Sequence, residues 1–176
     1  MSGHNKWSQI KRKKGITDAK KSREFSKLAQ VITMEARRVG GDTNASTLKN
    51  VVERARVANM PLANIERAIK RATEKDAASL EEVTYEAYGP GGTAIIVECL
   101  TDNKNRTVAE VKKILADNSA VFVERGAAKW AFVKEGNEWN PTSTVSPEDD
   151  DLEKLGALVD ALEEQSDVQG VFTNAS

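Results

Sequence analysis

Histidine and cysteine are nearly missing from this chain, with one of each in 176 residues. A lone Cys99 forms no internal disulfide, and its place inside an apolar run is that of a buried structural thiol. A lone His4 excludes any multi-histidine metal centre. If Met1 is removed, the Ser2-Gly3-His4 end has the amine, amides and imidazole of a square-planar Cu(II) or Ni(II) site, but every chain with a histidine third from its end shares that geometry. A contact to nucleic acid, or no fixed role, is the plainer expectation for His4. Aromatic residues are scarce at 5%, although 39% hydrophobic residues are enough to build compact cores. No run approaches the ~20 apolar residues of a membrane span. The basic N-terminus also lacks the apolar stretch of a secretory signal, so the expected compartment is the cytoplasm.

What the chain has instead is charge divided by position. Residues 1–76 hold 18 Lys+Arg against 8 Asp+Glu, a net of +10, and the remaining 100 residues hold 8 against 19, a net of −11. The whole-chain net charge of −1 hides this division. Opposite halves of this kind mark a surface for a polyanion, because each neutralised phosphate releases condensed counterions. The densest cations open the chain: Lys6, Lys11, Arg12, Lys13 and Lys14, then Lys20, Lys21, Arg23 and Lys27. Trp7 lies among them, and an indole between cations is expected to stack on an unpaired base while its neighbours hold phosphates.

Two domains are expected, 1–76 and 77–176, in an α+β chain. Phe25, Leu28, Ile32, Ala36 and Val39 recur at helical spacing over Thr17 to Val39, and Gly40-Gly41 stops that helix. Asn44 or Ser46 is expected to cap a second helix bearing Leu48, Val51, Val52, Ala55 and Ala58. Pro61 then marks the first turn of a third with Ile65, Ala68, Ile69 and Ala72. The turn around Asn59-Met60-Pro61 does not read as a helix-turn-helix, and no helix offers Arg, Asn and Gln where base edges would lie.

From Glu82 the periodicity becomes that of strands. Glu82 to Tyr88 and Thr93 to Thr101 flank Gly89-Pro90-Gly91-Gly92, which lacks the Lys-Ser/Thr of a Walker motif and precedes a strand, so no nucleotide cofactor is expected. Thr107 to Glu110 reads as a capping box for a helix with Val108, Val111, Ile114 and Leu115 inward. Ala128 to Glu135 and Glu138 to Val145 read as paired strands, with Trp130 and Phe132 on one face. Ser146-Pro147 opens a helix whose acids, Glu148 to Asp151, suit its positive end better than a metal. Val168 to Asn174 is the last strand. From Thr93 onward the order matches a ferredoxin-like split βαβ sandwich, with Glu82 to Tyr88 as an extra strand. No catalytic, metal-binding or small-molecule constellation emerges from the spacing.

The opening SGHNKW and IKRKK, the segment ANMPLANIERAIKRAT, the stretch YEAYGPGGTAIIVECLTDNKNRTVAEVKKIL and the ending LVDALEEQSDVQGVFTN together resemble the YebC/PmpR family over most of the chain. That resemblance implies a non-enzymatic, cytoplasmic regulator of gene expression that binds nucleic acid. Its partner would be ribosomal or transfer RNA on the ribosome, as a translational activator relieving stalls, or promoter DNA, as a transcriptional regulator; the residues lean to RNA. It also implies a candidate partner-facing loop of Tyr88, Asn103, Asn105 and Arg106, with the shaping of a turn as the alternative role of these residues. Two departures stand out: Asn5 replaces the usual serine, and Gly136 to Pro147 runs directly into the last helix where typical members carry an inserted third domain.

Changing Lys11, Arg12, Lys13 and Lys14 together to alanine is expected to weaken nucleic-acid binding uniformly across sequences. The slope of log affinity against log salt should flatten by up to about 4. Titrations at several salt concentrations check this, and an unaltered slope would remove these four cations as phosphate contacts.

Overall fold

A computed structural model describes Trp7, residues 18–74 and residues 79–176. The chain divides into two compact units, one comprising Ile16–Glu81 and the other Glu82–Ser176 together with the opening stretch that holds Trp7.

The helical unit is built from α1 (Asp18–Arg38), α2 (Ser46–Val57) and α3 (Leu62–Ala72). Its core is the apolar stripe legible in the sequence: Phe25, Leu28, Ile32, Ala36 and Val39 meet Leu48, Val51, Val52 and Ala55, and Ile65, Ala68, Ile69 and Ala72 complete the cluster. The Thr33 hydroxyl ties α1 to α3 by donating to the Ala68 carbonyl at 2.9 Å. Gly40 and Gly41 end α1 with φ of 63° and 80°, and the Gly41 amide returns to the Ala36 carbonyl at 2.8 Å. Such a left-handed stop favours glycine because no Cβ is present to clash. The cap of α2 differs from expectation: Ala45 holds the N-cap position with no side-chain bond, so neither Asn44 nor Ser46 serves there.

In the second unit the controlling element is β2 (Ala94–Thr101), which is buried on both faces. Ile95, Val97 and Cys99 point to one side and join Val111 and Leu115 of α4 (Lys104–Asp117) and Leu152, Leu155, Leu158, Val159 and Leu162 of α5 (Asp149–Glu164). Ala94 and Ile96 point to the other and join Ala128, Ala131, Phe132 and Trp139. Burying each such Ile or Val contributes about 1.5–3 kcal/mol, so a sheet with this strand at its centre must be covered twice. The sheet order is β3 (Val121–Val123), β1 (Glu81–Tyr88), β2, β6 (Val168–Thr173). β1 pairs antiparallel with β3, and β2 with β6.

The chain is α+β, with helices first and an α/β sandwich after them. Within the sandwich the strands are shared out differently from the split βαβ reading. Glu81–Tyr88 is a central strand beside β2 instead of an extra one. The expected pair after Ala128 forms a separate hairpin, β4 (Phe132–Glu135) with β5 (Glu138–Pro141), laid over the second face of the sheet. Lys129–Ala131 is a 3-10 turn, which separates exposed Trp130 from buried Phe132, two residues expected on one face.

Two helix starts also shift. Asn103 caps α4 through its side chain, so Thr107 to Glu110 is no capping box. Glu148 occupies the N-cap of α5, leaving Asp149, Asp150 and Asp151 in its first turn, while Ser146 bonds to Ser176 at 2.8 Å. Pro147 packs on Gly91, where an added Cβ would come within 2.6 Å.

Trp7 corrects the expected stacking role. Its side chain is only 8% exposed and belongs to the cluster of Tyr85, Ile95, Val97 and Leu155. An indole buried there offers no free face to a base. Trp7→Ala is therefore expected to destabilise the α/β unit by roughly 3–5 kcal/mol, the range for emptying a large buried aromatic site. Chemical denaturation of the purified chain measures it, and a loss below about 1 kcal/mol would contradict the buried placement.

Candidate nucleic-acid interface

Of the residues expected to bind nucleic acid, Lys6, Lys11, Arg12, Lys13 and Lys14 lie outside the described residues, as does His4. Lys20, Lys21, Arg23 and Lys27 all fall on α1. At about 100° per residue, Lys20, Arg23 and Lys27 form one stripe on the side of α1 away from Phe25 and Ile32, with Lys21 set apart and exposed. Arg67, Lys70 and Arg71 add exposed cations to α3, and Lys49 and Arg54 to α2. Arg56 approaches Glu53 at 3.6 Å, but both are more than half exposed, so that pairing contributes little. An open groove of about 630 Å³ between α1 and α2 is lined by both Glu24 and Glu53 as well as Arg54, a mixture that does not mark an anion site.

The α2–α3 turn is tight. Asn59 adopts φ 60°, and the Met60 amide returns to the Ala55 carbonyl at 2.9 Å. The connection thereby has the length of a helix-turn-helix. The exposed positions at the start of α3 are nevertheless Leu62, Ala63 and Glu66, and its cations come later, at Arg67, Lys70 and Arg71.

The residues of the candidate partner-facing loop do not come together. Tyr88 ends β1 and precedes a turn closed by the Gly89 amide on the Thr93 carbonyl at 2.8 Å, whereas Asn103, Asn105 and Arg106 follow the far end of β2. Asn103 Oδ1 accepts from the Arg106 amide at 3.1 Å, which is helix capping. Arg106 Nη2 donates to Asp102 at 2.9 Å and to Asp167 at 2.8 Å. Asn105 is exposed on the first turn of α4.

Asp167 is the hub of this end. Its buried carboxylate also accepts from the Thr107 hydroxyl at 2.7 Å and from Gln165 Nε2 at 3.4 Å. Burial alone would raise its pKa, but the hydrogen bonds from Arg106, Thr107 and Gln165, with the Arg106 charge, outweigh that and hold it below the usual carboxylate range. The cluster locks the start of α4 to the approach of β6. Its chemistry is structural: Arg106 is shared with Asp102, Gln165 with Glu110 at 2.8 Å and Thr107 with Thr101, so the donors are spent within the protein.

Around Tyr88 the arrangement is different. Glu86, buried on the hairpin side of β1, accepts the backbone amides of Gly126, Ala128 and Lys129 at 2.7, 2.8 and 2.8 Å. Burial pushes its pKa up, and these three amides with the Lys129 charge bring it below the ordinary value. The loop so fixed carries Trp130, whose Nε1 donates to the Tyr88 hydroxyl at 3.0 Å while that hydroxyl donates to the Ala127 carbonyl at 2.7 Å. Trp130 is 62% exposed. Sequence reasoning missed it, because treating Ala128 to Glu135 as one strand put the indole on the same face as Phe132.

Among the described residues, no three His, Cys, Asp or Glu side chains come together as a metal site.

Residues 5–75 match the family model described as the TACO1/YebC protein N-terminal domain, and residues 80–137 match that of the TACO1/YebC second and third domain. A probable transcriptional regulatory protein of Chlorobaculum tepidum is 47% identical over 177 residues, 98% of this chain and 69% of that protein. One from Geobacter sulfurreducens is 48% identical over 157 residues, 88% of this chain and 61% of that protein. A third, from Chloroherpeton thalassium, is 35% identical over 237 residues, covering 99% of this chain and 95% of the relative. Because 237 exceeds the 176 residues here by 61, that relative has material opposite gaps within this chain. The crystal structure of the conserved hypothetical protein Aq1575 from Aquifex aeolicus matches with a TM-score of 0.84 at 29% identity, over 97% of this chain and 96% of that one.

Thr107→Val removes a hydroxyl bonded to Asp167 and to Thr101 at 2.7 Å, and is expected to cost about 1–3 kcal/mol of stability. Because the Asp167 pKa is depressed on folding, its contribution is present above roughly pH 4 and lost as pH falls through the lower folded value. Asp167→Asn should therefore flatten the acid limb of stability against pH. Denaturation midpoints measured from neutral to acid pH check both expectations.

Proposed function

The chain belongs to the TACO1/YebC family, and on that premise we propose that it is a non-enzymatic regulator of gene expression that acts by binding nucleic acid. The observation that carries this reading is the exposed set Lys49, Arg54, Arg67, Lys70 and Arg71 on α2 and α3, with the α1 cations in the same unit and Leu62, Ala63 and Glu66 as the exposed positions opening α3. Cations without base readers bind a phosphate backbone with little regard to sequence.

The favoured target is ribosomal or transfer RNA on the ribosome, where gripping the backbone would steady a stalled translating complex. No cofactor, metal or small-molecule substrate enters the proposal. A cytoplasmic location accords with it, and among the described residues no helix is long and apolar enough to cross a membrane. A second reading, a transcriptional regulator on promoter DNA, is supported by the names of the relatives and by the tight Asn59 turn. The burial of Trp7 removes one argument for RNA; the one that stays is that the exposed positions opening α3 are Leu62, Ala63 and Glu66, with its arginines placed later.

Crosslinking in cells followed by sequencing of the attached nucleic acid separates the two. Ribosomal or transfer RNA is the expected recovery; enrichment of promoter DNA alone would overturn the RNA reading. In vitro, changing Arg67, Lys70 and Arg71 to alanine should lower the salt slope of binding by up to about 3, at roughly 0.7–0.9 per lost phosphate contact.

A further inference from the structure

The α/β unit carries the acidic half of the chain, yet its cations are not evenly spread. Of the 8 Lys+Arg that follow residue 76, Arg125, Lys129 and Lys134 fall within residues 124–134, where Glu124 is the only acid. Lys134 is engaged by Glu98 at 2.6 Å, and Lys129 Nζ lies 5.2 Å from the Trp139 ring centre. Arg125 is exposed and has no carboxylate partner among the described residues. In this small basic island stands Trp130. Of the three tryptophans it alone is exposed, at 62%, against 8% for Trp7 and 7% for Trp139.

Its setting is that of a built platform. A solvent-exposed indole on a free loop would lose most of its binding energy to ordering, whereas this loop is already held by the three amides on Glu86. The ring is pinned at one edge, because Nε1 is spent on the Tyr88 hydroxyl. What remains to offer is the π face. Val121, 63% exposed on the edge strand, is paired with Tyr88 in the β1–β3 register, so it points to the same side of the sheet and extends the apolar ground around the ring.

We propose that Trp130 is a stacking site for an unpaired nucleobase, with Arg125 and Lys129 holding the adjoining phosphates. The proposal rests on the nucleic-acid reading above and deepens it: the helical unit grips backbone, and the α/β unit selects single-stranded over paired nucleotides. Stacking on an exposed aromatic needs no particular base, since every base has a π face, whereas a paired base within a duplex presents none. The surrounding cations favour a polyanion over an apolar peptide as occupant.

The test compares the full chain with Trp130→Ala, Trp130→Phe and Arg125→Gln on a short unstructured single-stranded RNA and on a duplex of the same sequence. Trp130→Ala should weaken the single strand roughly five- to hundred-fold while leaving the duplex unchanged, as expected from loss of one base stack. Trp130→Phe should recover most of the loss, and Arg125→Gln should lower the salt slope on the single strand. Ultraviolet crosslinking with peptide mapping should place a nucleotide adduct on Trp130. If the unaltered chain binds neither RNA, the RNA reading of the proposed function fails, and the stacking site with it. If it binds both and Trp130→Ala binds as the unaltered chain does, only this proposal fails. Unaltered RNA binding together with loss of a co-purifying protein would make the patch a protein-docking surface and overturn the stacking site.

Discussion

Much of the α/β unit follows from one constraint, the burial of β2 on both faces. Ile95, Val97 and Cys99 require the helices α4 and α5 on one side, and Ala94 and Ile96 require the β4–β5 hairpin on the other. Covering the second face with a hairpin brings two carboxylates of the sheet, Glu86 and Glu98, under protein. A buried carboxylate without partners would be costly, so each is met: Glu86 by three backbone amides, Glu98 by Lys134 and the Trp139 indole. The amides that satisfy Glu86 fix the 124–130 loop, and the fixed loop exposes Trp130. A packing requirement at the centre of the sheet thus ends in an exposed aromatic at the surface.

The two units solve different problems. In the helical unit the apolar stripes of α1, α2 and α3 meet, and their outward surfaces are left to long cationic side chains that solvate well. In the α/β unit most charged groups are either outward acids or members of small networks such as Asp167 with Arg106, Thr107 and Gln165. A surface of long exposed cations such as Lys49, Arg67 and Lys70 suits a phosphate backbone, which offers repeated charge and little fixed geometry. A rigid indole suits a single flat group. The division of labour proposed between them rests on this difference in chemistry.

Three motif residues illustrate how a recognisable pattern differs from a functional surface. Asn103 and Arg106 sit in a stretch that marks the family, yet one caps α4 and the other neutralises a buried carboxylate. Tyr88 belongs to another end of the sheet, where it orients Trp130. Grouping them as one loop would require the two ends of β2 to coincide, and an eight-residue strand spans roughly 26 Å.

The amino-acid order by itself determined the α+β class, the three bundle helices and their core stripes, the stop at Gly40-Gly41 and the charge division between the two halves. Each of these is local or additive: periodicity, a backbone conformation that favours glycine, and a count of charges. Only tertiary structure decided that Trp7 is core, that β1 is central, that the Ala128 region breaks into a turn before β4, and that Trp130 faces outward. Those outcomes depend on which distant residues share a face of the sheet, and a strand's two sides look alike until the elements that cover them are in place.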